Sequence, residues 1–103
     1  MQLIVYGGDA KSSAIEAVNF AKKFDFEKAN SKLEDANKSM LKAHQTQTQL
    51  LQKEAQGETL QLSLLMVHGQ DHLMNAITYI DMAKEIVNLY EFIHNSTFSM
   101  RNK

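Results

Sequence analysis

The 103-residue chain contains no cysteine, no proline and no tryptophan, and only four glycines. Without cysteine it has no disulfide framework, no thiolate metal site and no thiol nucleophile, so the cell interior is the expected setting. Without proline it lacks both the commonest helix breaker and the commonest turn former, and no Asn-Gly or Asp-Gly pair marks a hairpin. An excess of charge of either sign is missing too: 11 Lys and Arg stand against 12 Asp and Glu, for a net charge of −1. A nucleic-acid or anionic-membrane binder needs a concentrated basic face, which these scattered residues do not form. Leu3-Ile4-Val5-Tyr6 is too brief for a signal-peptide core, and no segment approaches the roughly 18 apolar residues of a membrane span. What remains is a soluble, cytoplasmic, helical protein of one domain, whose core is small unless copies share one.

Two places read as connections. Lys23-Phe24-Asp25-Phe26 offers Asp25 as a helix N-cap, and Gln56-Gly57-Glu58-Thr59 offers Gly57 for the left-handed position past a helix end. They divide the chain into helices at about 2–24, 26–55 and 60–94, and the polar stretch 95–103 reads as a flexible tail. Each helix carries a seam stepping by four and three residues, as in helices packed nearly side by side. In the first helix it is Leu3, Gly7, Ala10, Ala14, Ala17, Ala21 and Phe24, small enough for close backbone approach. In the second it is Ala29, Leu33, Ala36, Met40, Ala43, Gln47 and Leu50, with Gln47 standing where an apolar residue belongs. The expected fold is all-α, a three-helix antiparallel up-down bundle with small-residue seams.

The third helix has two seams. Met66, Gly69, Leu73, Ala76, Ile80, Ala83, Val87 and Tyr90 are apolar or small throughout. Beside them run Leu65, His68, His72, Asn75, Tyr79, Met82, Ile86, Leu89 and Ile93, polar in the first half and hydrocarbon in the second. Two adjacent apolar faces call for burial on two sides, which predicts self-association with this helix near the oligomer axis. The alternative is that the first two helices of the same chain cover both faces.

His68, Asp71, His72 and Asn75 follow i, i+3, i+4 and i+7 spacing and project from one side of this helix. Gln47 lies ten residues before Gly57 and His68 eleven after it. At about 1.5 Å per residue, both are some 15 to 16 Å from the turn, at the same height in an antiparallel hairpin. His44 and Thr48 flank Gln47, so a polar pocket between helices is expected.

His68 and His72 have the spacing of two zinc ligands, but His68-Gly69-Gln70-Asp71-His72 lacks the glutamate after the first histidine that a metalloprotease helix uses. No serine or cysteine elbow supports a hydrolase. A phosphoryl carrier suits the set better. A neutral imidazole is a nucleophile near pH 7, and Gln70, His72, His44 and Gln47 are candidate hydrogen-bond donors to phosphoryl oxygens. Leu64, Leu65 and Met66 offer an apolar rim for docking. Two other readings stay open: a solvated helix face, and a non-enzymatic metal-binding helical oligomer or scaffold. His94 reads as a surface residue, Met66, Met74 and Met82 as packing residues, and Tyr79 as a helix-interface residue.

Met66-Val67-His68-Gly69-Gln70-Asp71-His72-Leu73-Met74 closely resembles the signature of the enzyme IIA components of the lactose/cellobiose class of the sugar phosphotransferase system. Tyr6-Gly7-Gly8-Asp9-Ala10-Lys11-Ser12, Ala43-His44-Gln45-Thr46-Gln47-Thr48 and Glu54-Ala55-Gln56-Gly57-Glu58 are similar to three further family segments, in the same order. The resemblance runs from about Leu3 to Tyr90. It implies a nine-helix homotrimer in which His68 accepts a phosphoryl group from the phosphocarrier HPr and passes it to a cysteine of enzyme IIB. The membrane enzyme IIC moves a disaccharide that the IIA protein does not itself bind. The resemblance also implies that Asp71 meets its symmetry mates at the trimer axis and binds Mg²⁺ or another divalent cation. By the same motif His72 and Gln70 stand beside the phosphoryl acceptor.

Overall fold

A computed structural model describes the backbone of residues 2–57 and 64–101, with side chains for these except 51, 54, 55, 64–68 and 98–101. It contains three helices, α1 (Gln2–Lys22), α2 (Phe26–Ala55) and α3 (Leu64–Arg101), running up, down and up. At about 1.5 Å per residue the 38 residues of α3 span some 57 Å, which sets the long axis of a body measuring 67 × 21 × 15 Å. None of the helices among the described residues is long and apolar enough to cross a membrane.

The α1–α2 connection is a tight one. The amide of Asp25 donates to the carbonyl of Phe20 at 3.0 Å and that of Phe24 to Ala21 at 2.9 Å, the paired bonds that close a helix C-terminus around a left-handed residue. That residue is Phe24, with φ of 61°. It ends α1 at Lys22 rather than at the expected Phe24. Asp25 then caps α2 as expected: its Oδ1 accepts from the amide of Lys28 at 3.2 Å, and its carbonyl takes the first helical bond, from Ala29. At the far end of α2, Gly57 has φ of 87°, the conformation anticipated for it. Residues 58–60 of that connection and 60–63 of the expected third helix lie outside the described residues.

The alanine seams are the core. Ala10, Ala14, Ala17 and Ala21 of α1 are fully buried, as are Ala29, Ala36 and Ala43 of α2; Leu73, Ala76, Ile80, Ala83 and Val87 of α3 close over them. α1 packs extensively on both other helices, while α2 and α3 touch each other least. An ideal Cβ on Gly7 would lie 3.6 Å from the carbonyl carbon and oxygen of His72, so α1 and α3 cross there with room for a methyl group and little more. At the rim, Lys32 pairs with Glu16 at 2.9 Å; hydrogen bonding to Glu16, then its charge, raises the lysine's pKa.

Four expectations are revised. α3 does not stop at 94 but continues to Arg101. Residues 95–101 hold no proline or glycine, and a helix already formed adds a bond per residue at a cost of only a few tenths of a kcal/mol for Asn, Ser and Thr. His94 is half-buried rather than a surface residue, its ring 4.6 Å from that of Phe24 and 5.7 Å from that of Phe26. Phe24 is half-exposed rather than a seam residue, because its left-handed backbone turns it out of the α1 stripe. Met74 and Met82, expected as packing residues, are exposed on the outer face of α3. Met66 lies outside the described side chains.

Within one chain only the first α3 seam is covered. Of the second, Tyr79, Met82, Leu89 and Ile93 all remain exposed, so α1 and α2 do not fill both faces.

Candidate functional site

The polar run of α3 sits where all three helices meet. Gly69 is buried, Gln70 and His72 are half-buried, and Asp71 and Asn75 are exposed. His68 belongs to α3 by its backbone, and its side chain lies outside the described residues. The small Gly7 of α1 lets the His72–Leu73 peptide approach, which draws this stretch of α3 against α1.

From the other side comes α2. Gln47, the misplaced seam residue, donates its Nε2 to Oε1 of Gln70 at 2.9 Å in a part-buried setting. Gln47 and His68 were expected at one height; the partner is two residues further along, a displacement of about 3 Å. The structure therefore brings Gln47 and Gln70 together. His44 and Thr48 are exposed and line a hollow on α2 with Leu41, Gln45 and Gln49; they do not join the glutamine pair.

Successive residues on a helix are about 100° apart, so Gln70 stands about 200° around α3 from His68, on the flank facing α2. On His68's own flank are His72, within about 40°, and Asn75, within about 20°. The motif thus serves two directions. Gln70 faces inward to α2, and Asn75 stands on the α1 side. Asp71, between them, points away from the core and is exposed.

No three His, Cys, Asp or Glu side chains converge among the described residues. Asp71 supplies a carboxylate, the hard oxygen donor that Mg²⁺ or Ca²⁺ takes, but one side chain cannot fill the six or more positions of such an ion. Several copies of Asp71 with water would fit that demand.

Comparison with known proteins gives this arrangement its context. Residues 1–91 match the family described as the lactose/cellobiose-specific IIA subunit of the PTS system. The lichenan-specific phosphotransferase enzyme IIA component of Bacillus subtilis is 55% identical over 92 residues, 89% of this chain and 84% of that one. Among solved structures, the cellobiose-specific enzyme IIA of Bacillus anthracis superposes with a TM-score of 0.88 at 42% identity, over 91% of this chain and 86% of that one. The IIA(Chitobiose) protein of Escherichia coli, solved in complex with HPr, does so with a TM-score of 0.78 at 32% identity, over 89% of each chain. The match ends where the expected family likeness ends, near Tyr90, and leaves the last turns of α3 outside it. With its whole three-helix core matched and the His68 segment in place on α3, this chain belongs to the lactose/cellobiose-specific enzyme IIA family of the sugar phosphotransferase system.

Proposed function

We propose that the protein is the phosphoryl carrier of a disaccharide phosphotransferase system, with His68 as the covalent acceptor and HPr as the donor. The observation that carries this reading is the likeness over most of the chain to a IIA protein solved with HPr, joined to the His68-Gly69-Gln70-Asp71-His72 run on α3. A neutral His68 nitrogen attacks phosphorus on phospho-HPr as the phosphorus–nitrogen bond to HPr breaks. A thiolate of enzyme IIB then attacks the same phosphorus and frees His68. The exchange between imidazoles is nearly symmetric, so the protein has to align donor and acceptor and keep water out.

His72, sharing the His68 flank, is the neighbour placed to donate to phosphoryl oxygens. Gln70 enters the reading chiefly through Gln47, which anchors it toward α2. His44 stands apart from both. Enzyme IIC carries the sugar through the membrane, and the IIA protein works in the cytoplasm without touching it.

The assembly is a homotrimer in this reading. Its support is the uncovered apolar face of α3, where Met82 and Leu89 are each 57% exposed and Phe92 is 69% exposed. Asp71 lies on that outer face and would hold a divalent cation shared by three copies, which offsets the repulsion of three facing carboxylates. Labelling with phosphoenolpyruvate, enzyme I and HPr tests the carrier assignment: wild type takes up an acid-labile phosphoryl group, and label on His68→Gln would overturn it.

A further inference from the structure

On the side of α2 that meets the core, Ala29, Leu33, Ala36, Met40 and Ala43 are buried, and the next position of that seam is the amide Gln47. A leucine there would remove more apolar surface from water. A single polar residue in an apolar seam gives up some of that stability and fixes how the facing helices register. Gln47 has the partner that such a role needs. Its Nε2 donates to Oε1 of Gln70 at 2.9 Å, part-buried, across 23 residues of sequence.

The link stands where α3 is otherwise weakly held. α3 begins at Leu64, so Gln70 lies within its first two turns. Gly69 is buried but has no side chain to lock against a neighbour, and the next residue of its seam, Leu73, is one turn further on and buried. α2 and α3 touch each other least of the three helix pairs, so one bond between them carries weight. The bond from Gln47 to Gln70 supplies the hold that Gly69 cannot.

What that bond fixes is the roll of α3 about its own axis. Successive residues are about 100° apart, so holding Gln70 toward α2 also sets the azimuth of the 68 position two residues earlier. A roll of about 10° carries a group some 6 Å from the axis through about 1 Å. A displacement of that size is enough to slow a transfer step about a hundredfold.

We infer that Gln47 is a positioning residue for phosphoryl transfer: through its bond to Gln70 it fixes the roll of the first turns of α3, and with it the alignment of His68. Gln47 acts through Gln70 and touches neither HPr nor the phosphoryl group. The inference rests on the reading of His68 as acceptor and adds to it the residue, on another helix, that sets its alignment.

The test is single-turnover phosphorylation of Gln47→Leu at rising concentrations of phospho-HPr, with helicity checked by circular dichroism. The limiting rate is expected to fall about fivefold or more, the population change that loss of one neutral hydrogen bond brings. The half-saturating concentration of phospho-HPr stays at its wild-type value, because the docking surface is unaltered. Onward transfer to enzyme IIB slows by a similar factor, since the same histidine is misaligned toward both partners. Gln47→Glu restores most of the rate, its carboxylate accepting from the Gln70 amide turned over. Ala36→Gly, three turns away on the same seam, weakens α2 through helix propensity alone and leaves the transfer rate at its wild-type value. Four results overturn the inference and leave His68 standing as the acceptor: wild-type kinetics in Gln47→Leu, a raised half-saturating concentration at an unchanged limiting rate, no recovery in Gln47→Glu, or an equal slowing in Ala36→Gly. A wild-type chain that takes no phosphoryl group from phospho-HPr overturns the carrier reading itself and this inference with it.

Discussion

Gln47 of α2 and Gln70 of α3 meet side chain to side chain, amide nitrogen to amide oxygen at 2.9 Å, in a bundle whose α2 and α3 otherwise touch little. A neutral, part-buried hydrogen bond of this kind contributes about 1 kcal/mol net. Gln47→Ala is therefore expected to lower the unfolding free energy by about that amount, and Gln47→Leu with Gln70→Leu to be close to neutral, because no polar group is then left unpaired. A double-mutant cycle by urea unfolding measures the coupling; a coupling near zero would show that the pair does not tie the helices.

The two consecutive glycines of α1 predict a gain. Both lie inside a helix, where glycine costs about 1 kcal/mol relative to alanine. A methyl on Gly8 meets nothing within 4 Å, and one on Gly7 makes ordinary contact with the His72 carbonyl. Gly8→Ala and Gly7→Ala should each raise the melting temperature by about 4 to 8 °C for a domain this size. Gly7→Leu should lower it, since a larger side chain has to push α1 off α3.

Phe24 holds a left-handed backbone conformation that glycine adopts without penalty. Its ring contacts to His94 and Phe26 offset that cost. Phe24→Ala loses the rings and keeps the strain, whereas Phe24→Gly loses both. The glycine variant is expected to be the more stable of the two by about 1 kcal/mol in thermal or denaturant unfolding; equal stability would remove the strain from the account.

Much of this was legible in the sequence because small residues recur with helical spacing and the caps are local. The seams from Leu3 to Ala21 and from Gly69 to Val87 are buried as expected, and Asp25 begins and Gly57 ends a helix where their chemistry requires. What was not legible depends on distant partners. A phenylalanine in the left-handed position of a helix end gives no sequence signal, since glycine is the residue that marks such sites. The contact between the rings of His94 and Phe24 joins the late part of α3 to the α1–α2 turn, which only the assembled bundle brings together. The continuation of α3 past Asn95 shows that loss of apolar periodicity does not stop a helix that contains no breaker.

Of the site, the motif around His68 was legible through its density of polar residues on one helix. The pairing of Gln70 was not. Its place on the flank opposite His68 follows from helical geometry, yet which residue of α2 would meet it depended on the register of the hairpin.

Asp71 gives a prediction with an unusual sign. If three copies of this exposed carboxylate face one another, Asp71→Leu removes a repulsion and the need for a cation. The variant is expected to remain a trimer and to become insensitive to a chelator, while wild type loosens when divalent ions are removed. Sedimentation with and without chelator reads both effects; loss of assembly in Asp71→Leu contradicts the axial placement.

Transfer of phosphate to His68 is the central claim, and intact-mass analysis after incubation with phosphoenolpyruvate, enzyme I and HPr addresses it most directly. Wild type should gain one phosphoryl group per chain, lost in acid and retained in base, as a phosphohistidine is. His68→Gln should gain none under the same conditions while keeping its helicity and molar mass. Phosphorylation of His68→Gln at wild-type level, or a wild-type chain that stays unmodified beside phospho-HPr, would contradict the account.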